Sequence, residues 1–167
     1  MRVLSNEELK NVLESHKLWL KTNERIGERA DLSYTDLSGV DLMYDDLRLA
    51  NLSGANLTKA NLNYTNLCRA DLTEVNLTKA NLEYSDLVYA NLYNADLTRA
   101  NLTKADLTKA NLTKANLECA DLSYADLYHA DLQHTNLSEA YLYHANLCYG
   151  DLSRANLNKR NLCLKLI

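Results

Sequence analysis

The chain has 167 residues, of which 24% are charged and 47% are hydrophobic, and its formal net charge at pH 7 is −4. This composition excludes a disordered or membrane-embedded chain, and the acidic charge disfavours a general nucleic-acid binder, which needs a basic surface. No apolar run approaches the ~20 residues that cross a bilayer, and the opening MRVLSNEELK lacks the apolar segment of a signal peptide. We expect a cytoplasmic protein that binds neither membranes nor, directly, nucleic acids.

A helix is the first predicted element. Ser5 and Glu8 have the spacing of a capping box, which marks a helix N-terminus. The residues that follow at helical spacing are Leu9, Val12, Leu13, His16 and Leu20. The sequence predicts a helix over about residues 5–22 whose apolar face covers the start of the next region. The alternative is that this face binds a partner protein.

Beyond the helix, leucine occupies every fifth position from Leu32 to Leu162 without a break. The residue before each leucine is Asn or Asp, except at Tyr141, and the residue two before is most often Ala. An α-helix turns by about 500° in five residues, so its leucines would point to all sides. A flat strand would send successive leucines to opposite faces. A chain that bends once per repeat keeps every Leu and Ala inside and coils around its own core.

The number of repeats per coil is indicated by the tyrosines. Tyr44, Tyr64, Tyr84 and Tyr124 hold the same place in repeats that lie 20 residues, or a multiple of 20, apart. This spacing predicts four repeats per coil. The outward Asn and Asp side chains are expected to bond to nearby backbone at the bends. Asp45 and Arg160 stand at inward positions, where charge is costly, so we expect local distortion at both.

The tandem pattern A-(D/N)-L-x-x, as in ANLTKADLTKANLTKANLECADL over residues 100–122, resembles the pentapeptide-repeat family. The resemblance covers residues 30–164, and the lead-in from Trp19 to Leu32 is similar to that of many bacterial members; the family is especially abundant in cyanobacteria. It implies an all-β fold, a right-handed quadrilateral β-helix of nearly seven coils and roughly 30 Å in length. We predict an N-terminal helical cap and lead-in over residues 1–29, the β-helix over 30–164 and a C-terminal tail over 165–167.

The last residues form an apolar pattern of period two. The residues concerned are Leu162, Leu164, Leu166 and Ile167. This strand-like pattern predicts an edge that pairs with the same edge of a second chain, giving a homodimer. The alternative is that the tail folds back over the last coil.

With four repeats per coil, residues 20 apart stack into surface stripes. One stripe reads Tyr44, Tyr64, Tyr84, Lys104, Tyr124 and His144. Its four tyrosines are the candidate partner surface; the alternative is that they only stabilise neighbouring coils. A second stripe, read as a solvated face, is Lys59, Lys79, Arg99, Cys119, Glu139 and Lys159.

Charge is concentrated at two levels of the predicted rod. One coil carries a cation at each corner, a set that we call the cation girdle: Arg99, Lys104, Lys109 and Lys114. The first coil is crowded with acidic residues, namely Asp31, Asp36, Asp41, Asp45 and Asp46. We therefore expect a locally negative end and a basic belt near the middle.

No motif indicates catalysis, a cofactor or a metal. His129, His134 and His144 are predicted on three different faces, whereas zinc needs converging ligands. Cys68 and Cys148 share a face but lie four coils apart, too far for a disulfide. No triad spacing or glycine-rich phosphate loop is present. We therefore expect a protein that is not an enzyme, with no catalytic, cofactor-binding or metal site.

These observations predict a rigid interaction module with an unidentified protein partner. The alternative, implied by the resemblance, is a DNA mimic, because some family members bind DNA gyrase or other type II topoisomerases and protect gyrase from quinolones. Residues 30–162 contain 17 acidic and 11 basic residues, which leans toward mimicry. The cation girdle and the absence of Phe, which the gyrase-binding members tend to use in the core, argue against it.

Overall fold

A computed structural model describes residues 1–157 of the chain. Its named elements are strand β1 (Arg2–Val3), helix α1 (Asn6–Lys21) and strand β2 (Thr35–Asp36). Everything after α1 is built from short parallel bridges that run from Asp31 to Asn156. Several predictions fall outside the described residues. They concern the distortion at Arg160, the end of the repeat region, the tail, and the dimer edge at Leu162, Leu164, Leu166 and Ile167.

The bridges make a solenoid with 20 residues per coil. Each one joins parallel segments 20 residues apart, from Asp31 with Asn51 at one end to Asn136 with Asn156 at the other. The predicted four repeats per coil are therefore confirmed, and the described residues form just over six coils. Because every coil pairs with the next, no central coil leaves an unpaired edge.

Each repeat contains one tight turn. The Ala90 N–H donates to the carbonyl of Leu87, three residues earlier, at 2.9 Å. Between turns, the Leu87 N–H donates to the carbonyl of Asp106 in the next coil at 2.7 Å. This alternation of a turn bond and an inter-coil bond satisfies the backbone while the chain changes direction every five residues.

The turns depend on left-handed backbone at one position of every repeat. The residue two positions after each Leu, which we call the second outward residue, has a positive φ, between 51° and 67°, in each repeat from Tyr34 to Arg154. No Val, Ile or Thr occupies this position, although Thr is common one residue earlier. A β-branched side chain is the most strained type in this backbone region, which explains the exclusion.

The interior is a ladder of leucine and alanine. Leu87 and Leu92 are fully buried, as are nearly all residues at their positions. Where Thr or Ser replaces the inward Ala, the buried hydroxyl donates to a backbone carbonyl: Thr65 to Leu42 at 2.7 Å and Ser85 to Leu82 at 2.8 Å. These bonds remove the cost of burying a hydroxyl.

The Asn and Asp residues have the predicted structural role. The Asp96 carboxylate accepts the N–H of Thr98, two residues on, at 2.9 Å. Asn side chains also link coils, as where the Asn101 Nδ2 donates to the Asn81 Oδ1 at 2.9 Å. The same side chains therefore support both the turn and the stack.

The expected distortion at Asp45 is wrong. The Asp45 N–H donates to the carbonyl of Leu42 at 3.1 Å and its own carbonyl accepts from Asn66 at 2.9 Å, as in any other repeat. The side chain is only half-buried, because Asp45 lies in the first coil and no earlier coil stacks above it.

The N-terminal residues cover that open end. The Ser5 hydroxyl accepts the Glu8 N–H at 3.2 Å and the Glu8 carboxylate accepts the Ser5 N–H at 2.7 Å, which confirms the capping box. The apolar face of α1 packs against the core through Leu9, Val12 and Leu13. Strand β1 was not predicted; it pairs in parallel with β2 and extends the first coil.

His16 joins α1 to the start of the solenoid. It is fully buried, its Nδ1 accepts the Ala30 N–H at 3.1 Å, and its ring stacks on Trp19 with centroids 5.6 Å apart. Burial lowers the pKa of His16, although the nearby Asp46 opposes this shift. A neutral imidazole is required, because a protonated Nδ1 could not accept this bond.

Acid should therefore loosen α1. The pKa of His16 is lower in the folded protein than in the unfolded chain, so its stabilising effect is complete above about pH 6.5 and is lost as pH falls below that value. We expect α1 amides to exchange faster at pH 5 than at pH 7.5, after correction for intrinsic rates, with a parallel change in Trp19 fluorescence. His16→Gln should lose most of this pH dependence, and the control His144→Gln should keep it. Equal acid sensitivity in the two variants would refute the assignment.

The left-handed backbone at the second outward residue predicts that substitutions at two adjacent positions change the free energy of unfolding by different amounts. Lys79 has a φ of 59°, is exposed and already bears the cost of left-handed backbone. Because a β-branched side chain is more strained there than Lys, Lys79→Val should lower the free energy of unfolding by a further ~1 kcal/mol. Thr78→Val, one residue earlier, keeps a β-branched side chain at a position where Val88 shows that it fits, and should change stability by less than about 0.5 kcal/mol. Urea unfolding measures both. Similar losses for the two variants would show that backbone strain is not the cause.

Candidate functional site

The predicted tyrosine stripe forms a continuous stack over three coils. The rings of Tyr44 and Tyr64 have centroids 5.1 Å apart, and those of Tyr64 and Tyr84 lie 4.8 Å apart and nearly parallel. Lys104 covers the end of the stack, with its Nζ 4.6 Å from the Tyr84 ring centroid and bonded to the Tyr84 hydroxyl. We call Tyr44, Tyr64 and Tyr84 the tyrosine ladder.

The ladder is both ordered and exposed. Its side chains are 68%, 46% and 40% exposed in chain order, although each inner ring is covered on both faces. The ring edges and hydroxyls therefore face solvent in one row. Partial desolvation within the stack raises the pKa of Tyr64, and the bond to the Tyr84 hydroxyl raises the pKa of Lys104. The ladder can offer apolar edges and hydroxyl groups to a partner.

Tyr124 lies on the same corner but belongs to a separate cluster. It stacks on His144 at 5.3 Å, and the ring of Tyr143 meets it edge-on at 5.5 Å. Lys104 stands between this cluster and the ladder, so the four predicted tyrosines form two groups.

A neighbouring corner carries a second aromatic stripe that sequence reasoning missed. The Tyr89 ring has the Arg69 Cζ at 5.6 Å and the Lys109 Nζ at 5.1 Å from its centroid. Two coils further on, His129 and Tyr149 stack at 5.0 Å. Comparing residues 20 apart from Leu49 onward would have revealed this stripe, as the same comparison did for Tyr44.

The cation girdle is held against rings of the preceding coil. Lys109 Nζ donates to the Tyr89 hydroxyl at 2.9 Å, and Lys114 Nζ donates to the Tyr93 hydroxyl at 2.8 Å. With the Lys104 contact, three of its four cations bond to a tyrosine. These contacts combine a hydrogen bond with a cation–π interaction and position the charges at the corners.

The first coil has the expected excess of acidic groups. Asp46 pairs with Arg48 at 2.7 Å. Within residues 1–157, no ion pair reaches Asp31, Asp36, Asp41 or Asp45. Hydrogen bonds from the Ser33 hydroxyl and backbone lower the pKa of Asp31, and equivalent bonds from Ser38 lower that of Asp36, so both are charged at neutral pH.

The histidines and cysteines stay apart. His129, His134 and His144 lie on three different corners, and within residues 1–157 no three or more His, Cys, Asp or Glu side chains are grouped to hold a metal. Cys68 and Cys148 stand on one corner as free thiols, four coils apart. Nor does that part of the chain contain a helix of the length and apolarity needed to cross a membrane.

Comparison with solved structures finds several chains to which this one is similar. HetL from Nostoc sp. strain PCC 7120, involved in heterocyst differentiation regulation, is 35% identical over 77% of this chain and 70% of its own, with a TM-score of 0.45. Rfr23 from Cyanothece 51142 is 26% identical over 90% of this chain and 99% of its own, with a TM-score of 0.50. QnrB1, a plasmid-mediated fluoroquinolone resistance protein, is 21% identical over 82% of this chain and 80% of its own, with a TM-score of 0.39. No curated protein sequence matches the chain.

A model of pentapeptide repeats matches the sequence in eight copies, over residues 50–87, 90–127 and 125–161. These matches cover most of the solenoid, and HetL and Rfr23 are themselves pentapeptide repeat proteins. The repeat, the 20-residue coil and these matches agree: the chain belongs to the pentapeptide-repeat family.

Proposed function

We propose that this protein is a non-catalytic interaction module, a rigid, right-handed, four-sided β-helix that binds a protein partner through the tyrosine ladder. The observation that carries the proposal is the row of three exposed, mutually stacked rings. Contacts on both sides of Tyr64 and Tyr84 support a fixed arrangement in the free protein.

The physical advantage of such a row is pre-organisation. Tyrosine is enriched among the residues that contribute most to protein–protein binding. Side chains that are already ordered lose less conformational entropy when a partner binds. Tyr64 is held between Tyr44 and Tyr84, so a flat partner surface can contact all three ring edges without rearranging them.

The alternative function, a DNA mimic that binds a type II topoisomerase, has less support. A mimic needs negative charge along its length. Arg99, Lys109 and the rest of the cation girdle interrupt the acidic positions of the coil that they surround, and the second coil, residues 51–70, contains no acidic residue. A surface for direct protein contact therefore agrees better with the charge distribution.

Site-specific crosslinking tests the ladder. A photo-reactive p-benzoylphenylalanine at position 64 should crosslink a partner in lysate of the source organism. The same group at Asn94, an exposed position on the opposite corner one and a half coils away, should not. Excess wild-type protein should abolish the Tyr64 crosslink. A Tyr44→Ala/Tyr84→Ala competitor, checked for folding by circular dichroism, should compete at least about tenfold more weakly.

Two results would contradict the proposal: equal crosslinking from positions 64 and 94, or a double variant that competes as well as wild type. Mass spectrometry identifies the crosslinked protein. A topoisomerase captured at both positions would favour the DNA mimic instead.

A further inference from the structure

A cleft of about 640 Å³ separates helix α1 from the first coil. The helix residues that line it are Asn6, Leu9, Lys10, Leu13, Glu14 and Lys17. The residues of the solenoid that line it are Gly39, Val40, Asp41, Tyr44, Asp45 and Asp46. The cleft thus combines apolar side chains, one aromatic ring, four carboxylates and two lysines, of which Lys10 lies 3.9 Å from Glu14. Its charge is negative on balance, which suits a cation on an apolar stem.

Tyr44 lines this cleft and has one ring face that no other ring covers. It is the first ring of the tyrosine ladder, and one face stacks on Tyr64. At the opposite end of the ladder, Lys104 covers the outer ring. Among residues 1–157, no Lys or Arg lies over Tyr44, which is 68% exposed. The ladder is therefore capped by a cation at one end and opens into an acidic cleft at the other.

Asp45 places a carboxylate at the inward position of its repeat, two residues before Leu47. Most repeats have Ala at this inward position. Asp45 is half-buried, and no side-chain hydrogen bond or ion pair reaches it from the rest of residues 1–157. Burial raises the pKa of this carboxyl, Lys17 opposes the shift, and Asp41 adds to it. A half-buried carboxylate without a close partner is costly, and an incoming cation would stabilise its charged form.

We propose that this cleft binds an arginine side chain of a partner protein, with its guanidinium over the free face of Tyr44 and paired with Asp45. Arginine fits better than lysine because a planar guanidinium can stack on a ring and pair with a carboxylate at the same time. Its methylene stem would pack on Leu13 and Val40. Asp46 is already bonded to Arg48, so Asp45 and Asp41 are the carboxylates available to the ligand.

This proposal shares Tyr44 with the tyrosine ladder, so the variant at Asp45, which lies outside the ladder, is the one that tests the cleft alone. Crosslinking at position 64 can fail while the cleft binds arginine. Crosslinking can also succeed while the cleft fails to bind arginine. The two experiments therefore separate the failure of one proposal from the failure of the other.

A short peptide provides the probe. The full-length protein, labelled with ¹⁵N, is titrated with acetyl-Leu-Arg-Leu-amide and followed by NMR. We expect saturable shifts of the amide signals of Leu13, Tyr44 and Asp45. The matched peptide with citrulline, which keeps the shape of arginine but has no charge, should bind at least about fivefold more weakly. Equal binding of the two peptides, or shifts confined to other coils, would overturn the proposal.

Three variants locate the binding site. Asp45→Ala installs the residue that most repeats use, so the fold should be kept, and binding should weaken at least about fivefold. Tyr44→Leu should also weaken binding. Asp36→Asn makes the same change in net charge in the same coil but outside the cleft, and should leave affinity within about twofold. If Asp36→Asn weakened binding as much as Asp45→Ala, the attraction would be general to the acidic end and the proposed pocket would be wrong.

Discussion

Left-handed backbone at the second outward residue of each repeat is the constraint on which the whole architecture depends. It closes the turn in which the N–H of the next inward residue bonds to the preceding Leu, and so allows a five-residue repeat to keep Leu and Ala inside. The strained conformation costs about 1–2 kcal/mol for a non-glycine residue. Burial of a Leu contributes roughly 1.5–3 kcal/mol, so each repeat can offset its own strain, with help from the inter-coil hydrogen bonds.

The same constraint creates the surface. Because every coil turns at equivalent positions, the corner side chains lie directly above one another and residues 20 apart become neighbours. Tyrosines at one corner must then stack, as Tyr64 and Tyr84 do at 4.8 Å, and a lysine in the next coil must meet the last ring. Surface order is therefore a consequence of the regular core, and a partner can bind a row of side chains that is already in place.

The first coil departs from this regularity because it has no earlier coil to stack on. The N-terminal segment covers it in two ways: β1 extends its edge, and α1 packs over its core with His16 bonded to Ala30. A helix cannot match a coil as closely as another coil does. The space that remains is the cleft beside Asp45 and Tyr44, where the acidic end and the open end of the tyrosine ladder come together.

The repeat, the four repeats per coil and the alignment of Tyr44, Tyr64 and Tyr84 could be predicted from the sequence, because they follow from a local spacing that is copied many times. The capped helix could be predicted too, because its start signal is local. Three features could not be predicted from the sequence and depend on tertiary packing: how the non-repeating N-terminus docks, the regular backbone at Asp45, and the cleft onto which Tyr44 opens. These features depend on contacts between parts of the chain that share no period, and such contacts form only once the solenoid and helix α1 have packed together.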